Sequence, residues 1–355
     1  MQTAPPSENA ILLTICIATF NRADWISQTL DALLAQITPE IEIVIVDGAS
    51  TDATQAILAA YMIRHPKIVY RREASNSGVD CDFDKAVTYA SGEFCWLMSD
   101  DDIIVPGAIA KVLDHLNDQP QLVIVNSEIC DKQLSTVLKT RQLVINSDRE
   151  YDAAKHEKFF SDVGSYLSFI GAVVVRRTWW LGRERAKYYG SLFIHMGVIF
   201  QLPAPNRVRV IAEPLIRIRY GNALWTARAF EIWVCKWPQL IWSFSHFTPA
   251  ARQSITLQFP ATSLKTLLWY RALGAYSAGE RAQFLVGEYS IYTHILAITA
   301  SRLPVRAVNA ALAVYCYFSH HGDARMKLYD LSRVNGASQI ARWLAKRSRF
   351  PETEK

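Results

Sequence analysis

Between residues 11 and 129, short apolar runs rich in β-branched residues alternate with segments whose apolar residues recur at helical spacing. That alternation narrows the fold more than any other feature of the chain. Ile11–Ala18 is an unbroken apolar run, the pattern of a parallel strand covered on both faces. Asn21 can cap the helix that follows, which sets Ile26, Leu30, Leu33, Leu34 and Ile37 on one face. Ile41–Val46 is a second strand ending at Asp47-Gly48, and a helix carrying Ile57, Leu58 and Tyr61 comes next. Lys67–Arg72 predicts a third strand; a polar loop over 75–82 and a helix over 83–90 lead into the apolar run Phe94–Met98. Pro106–Asn117 reads as helix and Gln121–Ile129 as strand. The expected class is α/β, a mainly parallel sheet flanked by helices.

Ligands of such sheets sit beyond the carboxyl ends of the strands. Phe20-Asn21, Asp47-Gly48, Gly78-Val79 and Ser99–Asp102 all fall there, so four polar loops converge on one edge. The last of them sets Asp100, Asp101 and Asp102 side by side at a strand end. Adjacent carboxylates raise each other's pKa, which is costly away from water or a cation. One reading is an acidic turn leading into the next helix. The other is a hold on Mg²⁺ or Mn²⁺ against a diphosphate, because hard cations take oxygen ligands; the convergence of loops favours the second.

Charge is divided unevenly. Residues 1–150 carry 11 Lys/Arg and 21 Asp/Glu, residues 151–355 carry 27 and 12. An acidic half suited to a cation is joined to a basic half suited to an anion: phosphate, membrane surface or nucleic acid. The basic residues are scattered among Trp and Leu without a recognition motif, so no nucleic-acid partner is expected. The six cysteines show no CxxC and no regular spacing, which predicts neither a zinc site nor a disulfide framework and suits a reducing cytosol. Residues 1–8 show no signal-peptide pattern. The apolar stretches 291–300 and 305–318 are each shorter than the roughly 20 residues of a spanning helix, so no membrane crossing is expected.

Beyond residue 150, Tyr166–Arg176 reads as strand, with Gly171 where the backbone approaches something closely. Val208–Tyr220 reads as one or two strands broken near Pro214. From about 226, Trp, Leu, Ala and Arg at helical spacing predict several helices, ending in a basic amphipathic stretch, Arg342–Phe350. With Trp343, Leu344 and Phe350 among Arg342, Lys346, Arg347 and Arg349, that stretch suits an anionic membrane leaflet or a helix packed on the core.

Thr14–Arg22, Val44–Asp52, and Ala90–Phe94 leading into Ser99–Asp102 together resemble, in order and spacing, the nucleotide-sugar domain of family 2 glycosyltransferases. The resemblance spans about residues 10–225, with 226–355 as a C-terminal helical region. Gly78-Val79-Asp80, Phe94-Cys95-Trp96 and Arg219–Asn222 resemble its abequosyltransferase-like branch. The resemblance implies a Rossmann-like GT-A fold and transfer of a sugar from a nucleotide-diphosphate sugar to a hydroxyl of a glycan or lipid-linked glycan. It further implies bacterial surface-polysaccharide assembly, in the cytoplasm or on the inner face of the cytoplasmic membrane. By position, Thr19, Phe20 and Asn21 would flank the base, Asp47 would accept a hydrogen bond from it, and Asp100 would face the ribose. Asp101 and Asp102 would hold Mn²⁺ or Mg²⁺ against the diphosphate. Gly78, Asp80 and Lys85 belong to the loop facing the nucleotide. Ser99 stands where the family commonly has Asp, and Lys85 is the cation nearest to where an Arg is usual.

The family's carboxylate pair for the general base is absent; Phe193–Gly197 occupies its place. His195 is the candidate there, since its ordinary pKa lies nearest neutrality, against a satisfied core histidine. Asp162 is the second candidate, against a helix or turn cap. Arg219, Asn222 and Trp225, with Arg217, form a further polar cluster in which Arg could clamp a diphosphate and Trp stack on a sugar, or which is an ordinary exposed strand end. A non-catalytic nucleotide- or carbohydrate-binding scaffold is the alternative to an enzyme, with a nucleotidyltransferase behind it.

Overall fold

The computed structural model describes residues 11–221, 228–285, 290–319 and 324–348. Asn222, Trp225, Arg349 and Phe350 thus lie outside the described residues. The chain divides into two compact units: residues up to Ile129 with Thr140–Arg219, and Cys130–Lys139 with Tyr220 onward. The sequence reading drew the boundary between 225 and 226; contacts draw it at 219/220 and give residues 130–139 to the second unit.

The first unit opens with β1 (Leu13–Thr19), α1 (Ile26–Leu34), β2 (Ile41–Asp47), α2 (Thr54–Arg64), β3 (Ile68–Arg72), α3 (Val79–Tyr89) and β4 (Phe94–Met98). It continues with β5 (Ile103–Ile104), α4 (Ala108–Leu116) and β6 (Leu122–Cys130). After β7 (Val137–Lys139), which belongs to the second unit, come β8 (Arg149–Tyr151), α5 (His156–Val163), β9 (Val173–Arg176), α6 (Arg177–Leu181), α7 (Ile194–Phe200) and β10 (Val208–Arg219). The sheet order is β3-β2-β1-β4-β9-β6-β10-β5, with β8 also on β10. The β3, β2, β1 and β4 strands are parallel, whereas β9 is antiparallel to β4 and β6, as β5 and β8 are to β10.

The apolar runs are continuous because both faces of the parallel half are covered. Leu13, Ile15 and Ile17 pack with Ile26, Leu30 and Leu33 of α1 on one face. Alternate residues Cys16, Val44, Val46 and Leu97 are equally buried on the other. Two expectations change. Only Val173–Arg176 of the predicted 166–176 strand is strand; 3-10 turns at Tyr166–Ser168 and Ile170–Ala172 precede it. The Trp96 indole donates to the Gly171 carbonyl at 2.9 Å, and a Cβ on Gly171 would come within 2.3 Å of the Phe169 ring. Val208–Arg219 is one strand that runs through Pro214. On one flank β8 pairs with 208–210 and β5 with 216–217, so Pro214 falls between those two partners.

The second unit is helical: α8 (Trp237–Ser243), α9 (Pro249–Ile255), α10 (Leu264–Ala272), α11 (Ala278–Phe284), α12 (Ile291–Arg302), α13 (Val305–Phe318), α14 (Ala324–Arg333) and α15 (Gln339–Arg347). Ala272, Ala313, Cys316, Leu328, Leu331, Ala341 and Leu344 form one of its cores. Leu344, read from sequence as part of a membrane-facing tail, is therefore a core residue at 5% exposure. The small residues let the helices approach closely, and Asn309 fastens them. Its amide donates to the carbonyls of Ala272 (3.2 Å) and Leu331 (2.9 Å) and accepts from the Ser338 amide (2.9 Å).

Candidate functional site

Strands β2, β1 and β4 stand side by side, Thr19 opposite Asp47 and Ile17 opposite Met98. The register brings Asp47, Thr19 and the Asp triplet to one edge. Asp47 is fully buried; its Oδ1 accepts from the Ser50 amide and its Oδ2 from the Tyr70 hydroxyl, both at 2.7 Å. A carboxylate offers about four lone-pair positions, so Asp47 retains acceptor capacity for an incoming donor. Burial, and then the bond to Asp47, push the Tyr70 phenol up.

Asn21 (φ 55°) and Ala49 (φ 66°) are left-handed without being glycine, a conformation costing about 1 kcal/mol or more each. Bonds between the two loops hold it. The Asn21 amide donates to Ser50 Oγ (2.9 Å), and Asn21 Oδ1 accepts from the Thr51 amide (2.7 Å). The Arg22 amide donates to Thr54 Oγ1 (2.9 Å). Thr19 is buried, while Phe20 and Asn21 are half-buried at the rim.

The triplet divides its labour. Arg22 Nε lies 3.2 Å from Asp100 Oδ1, and its Nη2 lies 3.3 Å from Asp101 Oδ2. Burial, and then the Asp101 charge, push Asp100 up to about 7, with Arg22 pulling the other way. Asp102 faces inward: Oδ1 accepts from the Arg219 amide at 2.7 Å, Oδ2 from the Ser99 hydroxyl, and its carbonyl from Thr29 Oγ1 at 2.8 Å. Burial, followed by Asp101, raises its pKa well above the usual range. The pair that Arg22 bridges is thus Asp100–Asp101 rather than the expected Asp101–Asp102, with Asp102 turned toward the Arg219 amide and Ser99. Arg219 is corrected likewise. It is 4% exposed, with Nε on the Asp101 carbonyl (2.8 Å), Nη2 on Gln28 Oε1 (2.8 Å) and its guanidinium 4.5 Å over the Trp25 ring. It braces the triplet from beneath and is not poised to clamp a diphosphate. Arg22 is the cation that sequence reasoning missed; its signal was a basic residue in the loop after β1, next to the acidic strand end.

Residues 14–174 match the family described as Glycosyl transferase family 2. Over that stretch the chain is similar to the family. The chain is also similar to the abequosyltransferase RfbV of Salmonella typhimurium, 25% identical over 226 residues, which is 60% of this chain and 68% of that protein. Two solved structures share the fold. Staphylococcus aureus TarS 1-349, in complex with UDP-GlcNAc, aligns with TM-score 0.53 at 16% identity, over 95% of this chain and 91% of that one. The mannosyltransferase PcManGT of Pyrobaculum calidifontis, in complex with GDP-Man and Mn²⁺, aligns with TM-score 0.51 at 15% identity, over 93% and 87%.

The remaining candidates are placed differently. Gly78 (φ 91°) starts α3 on the exposed side of the loop. Asp80 is 3% exposed and accepts from the Leu192 amide (2.8 Å) and the Ile194 amide (3.0 Å). It is the cap that fixes the start of α7, a correction to its expected contact with nucleotide. Lys85 is paired with Glu73 (2.5 Å) and bonds Ser77 Oγ (3.0 Å). His195 is 1% exposed, and its Nε2 meets the Leu167 carbonyl at 2.6 Å. Burial pulls its pKa down to about 4. Such a ring has no route to an acceptor hydroxyl in this arrangement, so the geometry gives the core histidine over the base. Asp162 is bound by the Tyr151 hydroxyl (2.7 Å), Lys158 (3.0 Å) and Arg149 (3.3 Å). Those partners hold its carboxyl below the usual range, against the opposing pull of burial, which makes it a poor base. Its partners Arg149 and Tyr151 sit on β8, opposite Val210 and Val208. The Arg219 end of β10 is nine or more residues away, about 30 Å at strand rise. Asp162 therefore lies at the wrong end of the sheet.

The donor chemistry of Asp100 and Asp101 fits a small divalent ion. Among the described residues no three His, Cys, Asp or Glu side chains converge as a protein-only cage. Mg²⁺-type sites need none, since one or two carboxylates plus substrate phosphates and water complete the shell.

Proposed function

We propose that the chain transfers a sugar from a nucleotide-diphosphate sugar to a hydroxyl of a glycan or lipid-linked glycan, with a divalent cation, in bacterial surface-polysaccharide assembly. One observation carries the reading: Asp47, the Asn21–Arg22 loop and Asp100–Asp101 lie along the ends of three adjacent parallel strands. The similarity to an abequosyltransferase and the ligands of the two structural neighbours support it. Asp47, held from behind by Tyr70 and Ser50, accepts a base N–H. Asp100 faces the ribose. Asp101 and Asp100 would hold the cation, which would supply the positive charge that stabilises the departing nucleoside diphosphate. Arg22 keeps a cation of the chain's own against the same carboxylates before substrate arrives.

Calorimetry with UDP, GDP and CDP, with Mn²⁺ and with excess chelator, tests this. Asp101→Asn should weaken nucleoside diphosphate binding about tenfold or more, with an unchanged circular dichroism spectrum. Equal affinity in chelator would overturn the metal assignment. Tight binding without turnover of any nucleotide sugar would leave the scaffold reading.

A further inference from the structure

Helices α12 and α13 distribute their residues the wrong way round for a helix pair in water. The buried positions carry small and polar groups, Thr293, Ala297, Ala300 and Ser301 on α12 and Asn309, Ala313 and Cys316 on α13, beside partly buried Leu296, Val308 and Leu312. The faces turned outward carry the bulk. Ile291 (80%), Tyr292 (69%) and Ile295 (56%) are exposed on α12, Val314 (40%), Tyr315 (60%) and Phe318 (71%) on α13. Spacings of one and four put each trio on a single stripe. From 290 to 319 the formal charges are Arg302 and Arg306 alone, both exposed and both beside the bend between the helices. From 324 to 348 six more Lys/Arg stand against a single acid, Asp330.

We propose that the outward face of α12–α13 docks on an anionic phospholipid bilayer and inserts its aromatic and aliphatic side chains at the headgroup boundary. Length excludes a span. Helices of 12 and 14 residues reach roughly 18–21 Å each, short of a hydrocarbon core of about 30 Å, and they are bent by 100° to one another. Lying in the interface, they would bury the apolar stripe while the arginines meet lipid phosphates, the arrangement of monotopic helices. Tyr and Trp favour that depth, and α15 adds exposed Trp343 with Arg347 4.3 Å over its ring. Charge selects the occupant: a second copy would bring two cationic faces together, whereas an anionic leaflet neutralises them, at about 1 kcal/mol per Lys or Arg. The inference deepens the proposed function by giving a lipid-linked acceptor its meeting surface, and rests on that reading only for the acceptor.

Sedimentation with sucrose-loaded vesicles tests it without turnover, so a failure here leaves the transferase reading standing. The full chain should pellet with phosphatidylglycerol-containing vesicles, stay in the supernatant with phosphatidylcholine, and be released by high salt. Ile295→Ser with Phe318→Ser, at exposed positions, should lower the partition coefficient about tenfold or more. Its melting temperature and its nucleoside diphosphate affinity should match those of the parent. Arg302→Gln with Arg306→Gln should remove the preference for anionic lipid. A chain that ignores anionic vesicles, a serine variant that pellets like the parent, or a dimer dispersed by the same serines without vesicle binding would each overturn the proposal.

Discussion

One guanidinium, that of Arg22, spans two carboxylates at the end of the first strand, and its loss is the sharpest test at the scale of a single residue. With Nε 3.2 Å from Asp100 and Nη2 3.3 Å from Asp101, it offsets the repulsion between the two carboxylates. A divalent ion brought by the nucleotide must share or take over that role. Arg22→Gln should therefore tighten binding of Mn²⁺ alone, about tenfold at an effective dielectric near 20, while weakening the nucleoside diphosphate that loses a donor. Calorimetric titration of Mn²⁺ into the nucleotide-free protein reads the first effect directly. Identical Mn²⁺ affinity in both proteins would place ion and guanidinium on opposite sides of the carboxylates. Tyr70 works at the same scale and one step back: it touches Asp47, and Asp47 would touch the base.

Elements carry these residues by their ends. Strand β10 runs twelve residues, is held near its start by β8, and delivers the Arg219 amide to Asp102 at its finish. Helix α7 is started by Asp80, so the loop before it is pinned to α3. In the helical unit the corresponding part is Asn309, fully buried on α13, which satisfies two carbonyls and one amide from α10, α14 and the start of α15. Removing it strands three buried partners at once, and each costs about 1–3 kcal/mol when unsatisfied. Asn309→Ala should lower the stability of this unit by roughly 2–4 kcal/mol, seen as an earlier thermal transition, whereas Asn309→Asp should recover part of the loss through its acceptor. An unchanged melting curve would mean that water replaces the amide in full.

Across the whole molecule, the parallel half of the sheet was legible because both faces of β1, β2 and β4 are buried, which leaves unbroken apolar runs such as Leu13–Ala18. The site edge was legible because loops after parallel strands share one side. Direction of side chains was not. Nothing in Ser99–Asp102 says that Asp102 turns inward to the Arg219 amide, since that partner lies 117 residues away in sequence. His195 and Asp162 were misread for the same reason: chain position gave no sign that one is sealed at 1% exposure and the other sits at the far end of β10. Beyond 226 the sequence predicted helices, but not that α12 and α13 would carry their large apolar residues outward. The same blindness hid Asp330, a half-buried carboxyl on α14 that accepts the Tyr220 hydroxyl at 2.8 Å. Burial pushes it up to about 7, with the Tyr220 bond pulling down. The folded chain then keeps this proton up to about pH 7, while the unfolded chain sheds it near pH 4. Between those values the folded state binds more protons, so stability falls as pH rises, is flat below the unfolded pKa, and is flat again above the folded one. Thermal melts from pH 4 to 8 should show a decline of up to about 4 kcal/mol, and Asp330→Asn, which keeps the acceptor but cannot ionise, should remove it. A decline of the same size in both proteins would assign the pH dependence to other groups.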